Sequence, residues 1–335
     1  MRLGDLGWGE DFAAGADAAT LTRTPPVRVT QAHRTALRVL GEGIERTIPL
    51  VEDATVGDWL LLDADDPRAS RLLPRRSVIR RRAAGAERRV QIIAANVDTV
   101  FITTSCNAEF NVARLERYLA LVFDAGIEPV IVLTKPDLTE SPETFVEAAQ
   151  AVAEGVAVIA LDARDPQAVA RLAPWCGTGR TVAFLGSSGV GKSTLTNALI
   201  GSDAIETQAV RETDDRGRHT TTRRELHVVP GGCVVLDTPG MRELQLTDAA
   251  DGIGQVFDDL AEIATHCRFR DCSHGAEPGC AINEGVARGT LDPDRVARWR
   301  KLVEEDDLNS ADLGRKAGDR SLKKRLRAAQ KKKQK

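Results

Sequence analysis

Aromatic side chains are scarce in this chain: 4% of 335 residues, with a single tyrosine and eight phenylalanines. That scarcity argues against a protein that holds single-stranded nucleic acid mainly by stacking bases on rings. No apolar run approaches the roughly 18 residues of a membrane span, so no membrane partner is expected. The opening MRLGDLGWGEDFAAG lacks an apolar stretch and carries acids early, against a secretory leader. Cysteine is too sparse for a disulfide scaffold, six in all, and three of the six crowd into residues 267–280 beside a histidine. Such crowding reads as a metal site in a reducing compartment, and a location in the cytoplasm is the expectation. Lysine is nearly missing as well: the first 300 residues hold only Lys135 and Lys192. In an arginine-rich chain, lysine kept at two places suggests a compact charge between phosphates, which a planar guanidinium supplies less well.

What is present fits a globular protein of two or three domains, with 42% apolar and 28% charged residues. The net charge of -3 conceals an asymmetry, because residues 315–335 carry eleven Lys and Arg against Asp319 alone, leaving -13 on residues 1–314. Residues 71–89 add eight arginines against Glu87. Both stretches suit a polyanion or a solvated surface.

Residues 1–25, polar and rich in Gly and Ala, read as a flexible arm ending at Pro25-Pro26. Short runs follow to about Ile79 (RVTQ, ALRVL, RTIPLV, DWLLLD, SVIRR), a small all-β pattern of five strands. From residue 90, the apolar strands VQIIAA, TVFITTS, EPVIVL, VAVIA and TVAFLG alternate with helix patterns, which predicts an α/β sheet covered on both faces. Residues 204–224 have no period and read as a long loop. ELHVVP and CVVLD then form a hairpin across Gly231-Gly232, and helices are expected near GIGQVFDDLAEIA, 283–289 and 294–305.

Gly186-Ser187-Ser188-Gly189-Val190-Gly191-Lys192-Ser193-Thr194 fits G-x-x-x-x-G-K-S/T between a buried strand and a helix. Glycines let backbone N–H groups wrap phosphates, and the helix N-terminus adds partial positive charge. Lys192 would reach the β- and γ-phosphates, and Ser193 would bind Mg²⁺. Asp237-Thr238-Pro239-Gly240 closes the strand before it, so Asp237 suits Mg²⁺ and the Gly240 N–H suits the γ-phosphate. Among Thr220, Thr221 and Thr222 of the long loop, Thr221 is the chosen candidate to complete the Mg²⁺ shell.

Thr134-Lys135-Pro136-Asp137 resembles the N/T-K-x-D motif of translation-factor-type GTPases, in which Asp accepts from guanine and the Lys stem packs along the base. Leu161-Asp162-Ala163 resembles the supporting Ser-Ala-x motif, with Asp162 in the serine's place. The order of elements is rotated: TKPD, LDA, phosphate loop, threonine loop, DTPG. That rotation, with GSSGVGKST, GRHTTT and DTPGMRE, resembles the ribosome small-subunit-dependent GTPase A family of circularly permuted ribosome-biogenesis GTPases. The resemblance implies a multidomain α/β protein: an OB-like β-barrel over 26–88, a circularly permuted P-loop GTPase domain over 89–250, a helical zinc-binding domain over 251–308 and a basic tail over 309–335. It further implies GTP hydrolysis stimulated by the 30S ribosomal subunit in late subunit maturation, contact with 16S rRNA, and a monomer. An RNA-binding factor that only senses GTP and GDP, or an ATPase, are the alternatives.

The residue after DTPG is Met241, whose thioether orients water poorly, so His219 of the threonine loop is a candidate to do so. Cys267, Cys272, His274 and Cys280 supply four ligands with no open position, the signature of one structural Zn²⁺ ion. His266 reads as a bystander, and Cys106, Cys176 and Cys233 as core residues.

Overall fold

The computed structural model describes residues 1–82, 90–165, 167–201, 224–229, 232–237, 246 and 248–311. The opening residues are not the flexible arm that their composition predicts. A 3-10 turn over Leu3–Leu6 leads into α1 (Glu10–Ala13) and α2 (Ala18–Arg23). Leu6 and Phe12 are buried against Trp59, Leu61 and Leu73, and the Trp8 ring stands edge-on to Trp59 at 4.9 Å. Two such buried side chains, at about 1.5–3 kcal/mol each, offset the ordering of the small residues between them.

Five strands follow: β1 (Pro26–Ala32), β2 (Ala36–Gly41), β3 (Ile44–Pro49), β4 (Trp59–Leu61) and β5 (Arg71–Leu72), antiparallel in the order β3-β2-β1-β4-β5. Alternate residues Val27, Val29, Leu37, Val39, Ile48 and Leu60 fill a core of their own. A pairing of β3 with β5, which would close a barrel, is not present among the described residues. Within β1, Arg28 is fully buried and donates to Leu6 O, to Gly57 O at 3.3 Å and to Asn96 O at 3.0 Å. Burial pushes this guanidinium down to about 10.

The sequence places VQIIAA in the α/β sheet. It forms instead β7 (Val90–Ala95), paired antiparallel with β6 (Val78–Arg82) in a separate two-stranded ribbon. A short apolar run reads alike in either setting, and only the partner decides.

The parallel sheet begins with β8 (Thr99–Ser105) and continues through α3 (Val112–Asp124), β9 (Glu128–Thr134), α4 (Pro142–Gln150), β10 (Ala157–Leu161), α5 (Ala168–Leu172), β11 (Thr181–Leu185) and α6 (Lys192–Ile200). β12 (Glu225–Val228) and β13 (Val234–Asp237) form the expected hairpin. The strand order is β10-β9-β8-β11-β13-β12, parallel from β10 to β13, and β12 joins β1 at Gln31 and Glu225. Continuous apolar strands follow from two covered faces. Phe101, Val130, Val132, Val182 and Phe184 pack beneath Leu195 and Leu199 of α6. Ile102, Ile131, Leu133, Ala183 and Leu185 pack against α3 and the helices that follow.

Those helices are α7 (Ala250–Val256), α8 (Asp258–Ala264), α9 (Ala281–Ala287) and α10 (Pro293–Ala311). The single helix expected over GIGQVFDDLAEIA breaks at Phe257, which is fully buried with φ -116° and ψ 44°, outside the helical region. α7 crosses α3 so closely that a Cβ on Gly252 would lie 1.9 Å from Ala120 O. α10 is tied to α3 by Arg298 Nε, which donates to both carboxylate oxygens of the buried Glu116 at 2.8 and 3.1 Å. Among the described residues, no helix is long and apolar enough to cross a membrane.

Candidate active site

Because β8, β9, β10, β11 and β13 run parallel, their C-terminal ends share one rim, where sheets of this kind bind ligands. The phosphate loop occupies the middle of that rim, after β11. Gly186 has φ +155°, and a Cβ there would lie 2.1 Å from Thr103 O, so no other residue fits between β11 and β8. Lys192 opens α6 and folds back over the loop, its Nζ donating to Gly186 O at 2.8 Å and to Ser187 O. Ser193 is exposed in the first turn of α6. Backbone N–H groups of that turn have no partner within the helix and can face an anion.

The TKPD segment meets this loop directly. Thr134 is fully buried, with Oγ1 2.6 Å from Val190 O and 3.1 Å from Thr104 O; its hydroxyl donates to the nearer carbonyl. A threonine at this position thus fastens the end of β9 to the phosphate loop. Lys135 takes a left-handed conformation (φ 55°), and its Nζ donates to Gly189 O at 2.8 Å. Pro136 and Asp137 follow in a 3-10 turn. A Cβ on Gly191 would touch Thr134 Cγ2 and Ala163 Cβ, both at 3.6 Å, so the ends of β9 and β10 and the phosphate loop converge. The TKPD and LDA segments and the glycine-rich loop, which the chain carries in rotated order, thus meet at one place. Asp137 is exposed beyond this junction, and its Oδ2 accepts from Arg164 Nη2 at 2.8 Å. Arg164 also bonds Asp162, which lies below the usual carboxylate range chiefly because of that guanidinium.

On the other side of β11, Asp237 ends β13 half-buried. Burial raises its pKa, His227 opposes that rise, and Glu225, directly opposite in register, adds to it. A serine hydroxyl and a carboxylate are hard oxygen donors, the kind Mg²⁺ takes. Thr220, Thr221, Thr222, His219, Gly240 and Met241 lie outside the described residues.

The cysteine cluster lies between α8 and α9. Ligand atoms of Cys267, Cys272, His274 and Cys280 all fall within 4.8 Å of one another. His274 Nδ1 is 3.5 Å from Cys267 Sγ and 3.6 Å from Cys280 Sγ. Zinc bonds of about 2.3 Å to sulfur and about 2.0 Å to nitrogen, at a tetrahedral angle, require about 3.5 Å between those atoms. The donor set therefore fits a zinc ion. The His274 ring is buried against Trp299, centroids 5.2 Å apart, and Arg300 donates to its carbonyl. His266 is exposed and outside the cluster; Cys106 and Cys233 are buried, whereas Cys176 is half-buried.

Comparison with known proteins bears on this arrangement. A family model for the RsgA GTPase matches residues 72–247. The chain is 48% identical over 316 residues to the small ribosomal subunit biogenesis GTPase RsgA of Mesorhizobium japonicum, covering 92% of this chain and 91% of that relative. The chain belongs to the RsgA GTPase family. Its structure also resembles YloQ, a circularly permuted GTPase, with a TM-score of 0.61 and 25% identity over 88% of this chain and 99% of that one. YjeQ from Thermotoga maritima shares the fold at a TM-score of 0.61 and 23% identity, over 84% and 97% of the two chains. As a member of the RsgA GTPase family the chain is a GTP hydrolase with a circularly permuted fold.

Two residues of this RsgA GTPase escape the sequence reading. Arg164 is one. The other is Arg114, in the first turn of α3, whose Nη1 donates to Ser187 Oγ of the phosphate loop at 2.5 Å. The available signal is Asn111: its side chain accepts from Arg114 N at 2.9 Å, capping α3 and placing Arg114 at the rim.

Proposed function

We propose that this chain hydrolyses GTP to GDP and phosphate under stimulation by the 30S ribosomal subunit, late in that subunit's maturation, as a monomer in the cytoplasm. The name of its Mesorhizobium relative supports the ribosomal part of the reading. The observation that carries the chemistry is the Thr134–Val190 hydrogen bond of 2.6 Å, which joins the base-side motif to the phosphate loop despite their rotated order.

In this reading the loop from Gly186 to Thr194 wraps the phosphates, and Lys192 moves from its own loop carbonyls to the β- and γ-oxygens. Asp137 accepts from guanine, the Lys135 stem and Pro136 line the base, and Asp162 and Ala163 support it. Ser193, Asp237 and Thr221 would hold Mg²⁺, which when bound offsets the charge that builds on the phosphates. Gly240 offers its N–H to the γ-phosphate, and His219 is the residue that orients the attacking water. Zn²⁺ on Cys267, Cys272, His274 and Cys280 has a structural part. The module over 26–88, taken as OB-like, the region 89–250 as the GTPase domain, the helical region 251–308 and the basic tail 309–335 divide the work, with 16S rRNA phosphates meeting the basic stretches.

The experiment is GTP and ATP hydrolysis with and without purified small subunits, for the wild type and Lys192→Ala. Subunits should accelerate GTP turnover in the wild type alone, and ATP should not compete. Equal rates with and without subunits, together with no change from Lys192→Ala, would leave only a nucleotide sensor, and comparable affinities for ATP would end the guanine assignment.

A further inference from the structure

We propose that Arg164 is a latch on the base side of the pocket, bridging Asp137 and Asp162 and yielding Asp137 to an entering guanine. This inference rests on the reading of Asp137 as the base acceptor. Three contacts define the bridge. Arg164 Nη2 donates to Asp137 Oδ2 at 2.8 Å and to Asp162 Oδ2 at 2.9 Å, and Nε donates to Asp162 Oδ1 at 3.0 Å. The Arg164 backbone N–H also donates to Asp162 Oδ1, at 2.9 Å, so a local turn sets the arginine facing both acids.

Guanine offers a ring N–H and an amino group side by side, and a carboxylate meets that pair by accepting one bond on each oxygen. With Oδ2 already engaged by Arg164, the entering base and the guanidinium compete for that oxygen. Displacement breaks one arm of the bridge while Asp162 keeps two. The arginine therefore stays beside the pocket and returns when nucleotide leaves. It also offsets the mutual repulsion of the two carboxylates it bridges. The side chains are 69%, 41% and 32% exposed for Arg164, Asp137 and Asp162, so the contact is a modest competitor that water and salt weaken.

This arrangement makes opposite predictions for two neighbouring substitutions. Arg164→Gln removes the competitor and should tighten GDP binding about two- to fivefold. Asp162→Asn leaves Arg164 to Asp137 alone and should weaken GDP binding by a similar factor, while its amide oxygen can still accept from the Arg164 N–H. The support Asp162 gives the base runs through its bonds to the arginine, so the double variant should behave as Arg164→Gln. Raising salt from about 50 mM to about 500 mM should narrow the gap between wild type and Arg164→Gln, since exposed pairs are screened.

The test is equilibrium and stopped-flow binding of a fluorescent GDP derivative to the full chain and these variants, with Asp137→Asn beside them. Tighter binding by Arg164→Gln together with weaker binding by Asp162→Asn supports the latch. Unchanged or weaker binding by Arg164→Gln overturns it, as does Asp162→Asn binding no worse than wild type. If Asp137→Asn binds as well as wild type, the base-site reading itself has failed; if Asp137→Asn loses binding while Arg164→Gln changes nothing, only the latch has.

Discussion

Replacing Asp124 with asparagine should stabilise the protein in mildly alkaline solution and do little in acid. Asp124 ends α3, half-buried, and burial together with the charges of Asp306 and Asp251 pushes its carboxyl from 3.8 up to about 7, against a weaker pull from Arg80. The folded protein therefore holds this proton more tightly than the unfolded chain does. Between those two values the unfolding free energy falls as pH rises, and below the lower one the penalty is gone. The span is 7 − 3.8 = 3.2 pH units, which at 1.36 kcal/mol per unit is at most ~4 kcal/mol. Solvent access to the half-open site roughly halves that, to ~2 kcal/mol. Asparagine keeps the shape and carries no charge to be buried. Urea unfolding of both proteins at about pH 4.5 and about pH 8 should show the wild type losing about 1.5 kcal/mol more than Asp124→Asn over that interval. Parallel loss in the two proteins would refute the reasoning, because it would mean that Asp124 titrates alike folded and unfolded.

Three further outcomes are expected. Gly252→Ala forces a methyl group to within 1.9 Å of Ala120 O, so α7 must move off α3, and thermal unfolding should report a loss of about 1–3 kcal/mol. Arg298→Ala would leave the buried Glu116 carboxylate, among the described residues, with the more distant Arg295, 3.7 Å away, as its one remaining ion-pair partner; chemical denaturation should show a loss of about 3 kcal/mol, recovered in part by a second change of Glu116 to Gln. Stripping zinc with a chelator should lower far-ultraviolet helix signal and expose the Cys267, Cys272 and Cys280 thiols to a thiol reagent, and added zinc should restore both.

The α/β sheet was legible because its strands are covered on both faces, which writes near-continuous apolar runs into the chain. The glycine-rich loop after β11 was legible because glycine spacing is a local requirement of backbone geometry, as the Gly186 contact with Thr103 illustrates. Residues 1–25 were not, because Leu6, Trp8 and Phe12 stand among glycines and alanines without a period, and their partner Trp59 is remote in sequence. The gathering of Cys267, Cys272, His274 and Cys280 into one cluster could be read from residue type and spacing alone. By contrast, Arg114 and Arg164 look like two more arginines in an arginine-rich chain. What gives each of them a job is an acceptor more than 25 positions away, Ser187 for one and Asp137 for the other.

Arg28 has a consequence for dissecting the molecule. Its three carbonyl acceptors, at Leu6, Gly57 and Asn96, come from three stretches that a sequence diagram would draw as separate pieces. A keystone of that kind cannot lose one voussoir quietly: trimming the first two dozen residues would strand a cation in the interior and bare the Trp59 indole. The β-module and the nucleotide sheet are accordingly better regarded as one casting than as beads on a string.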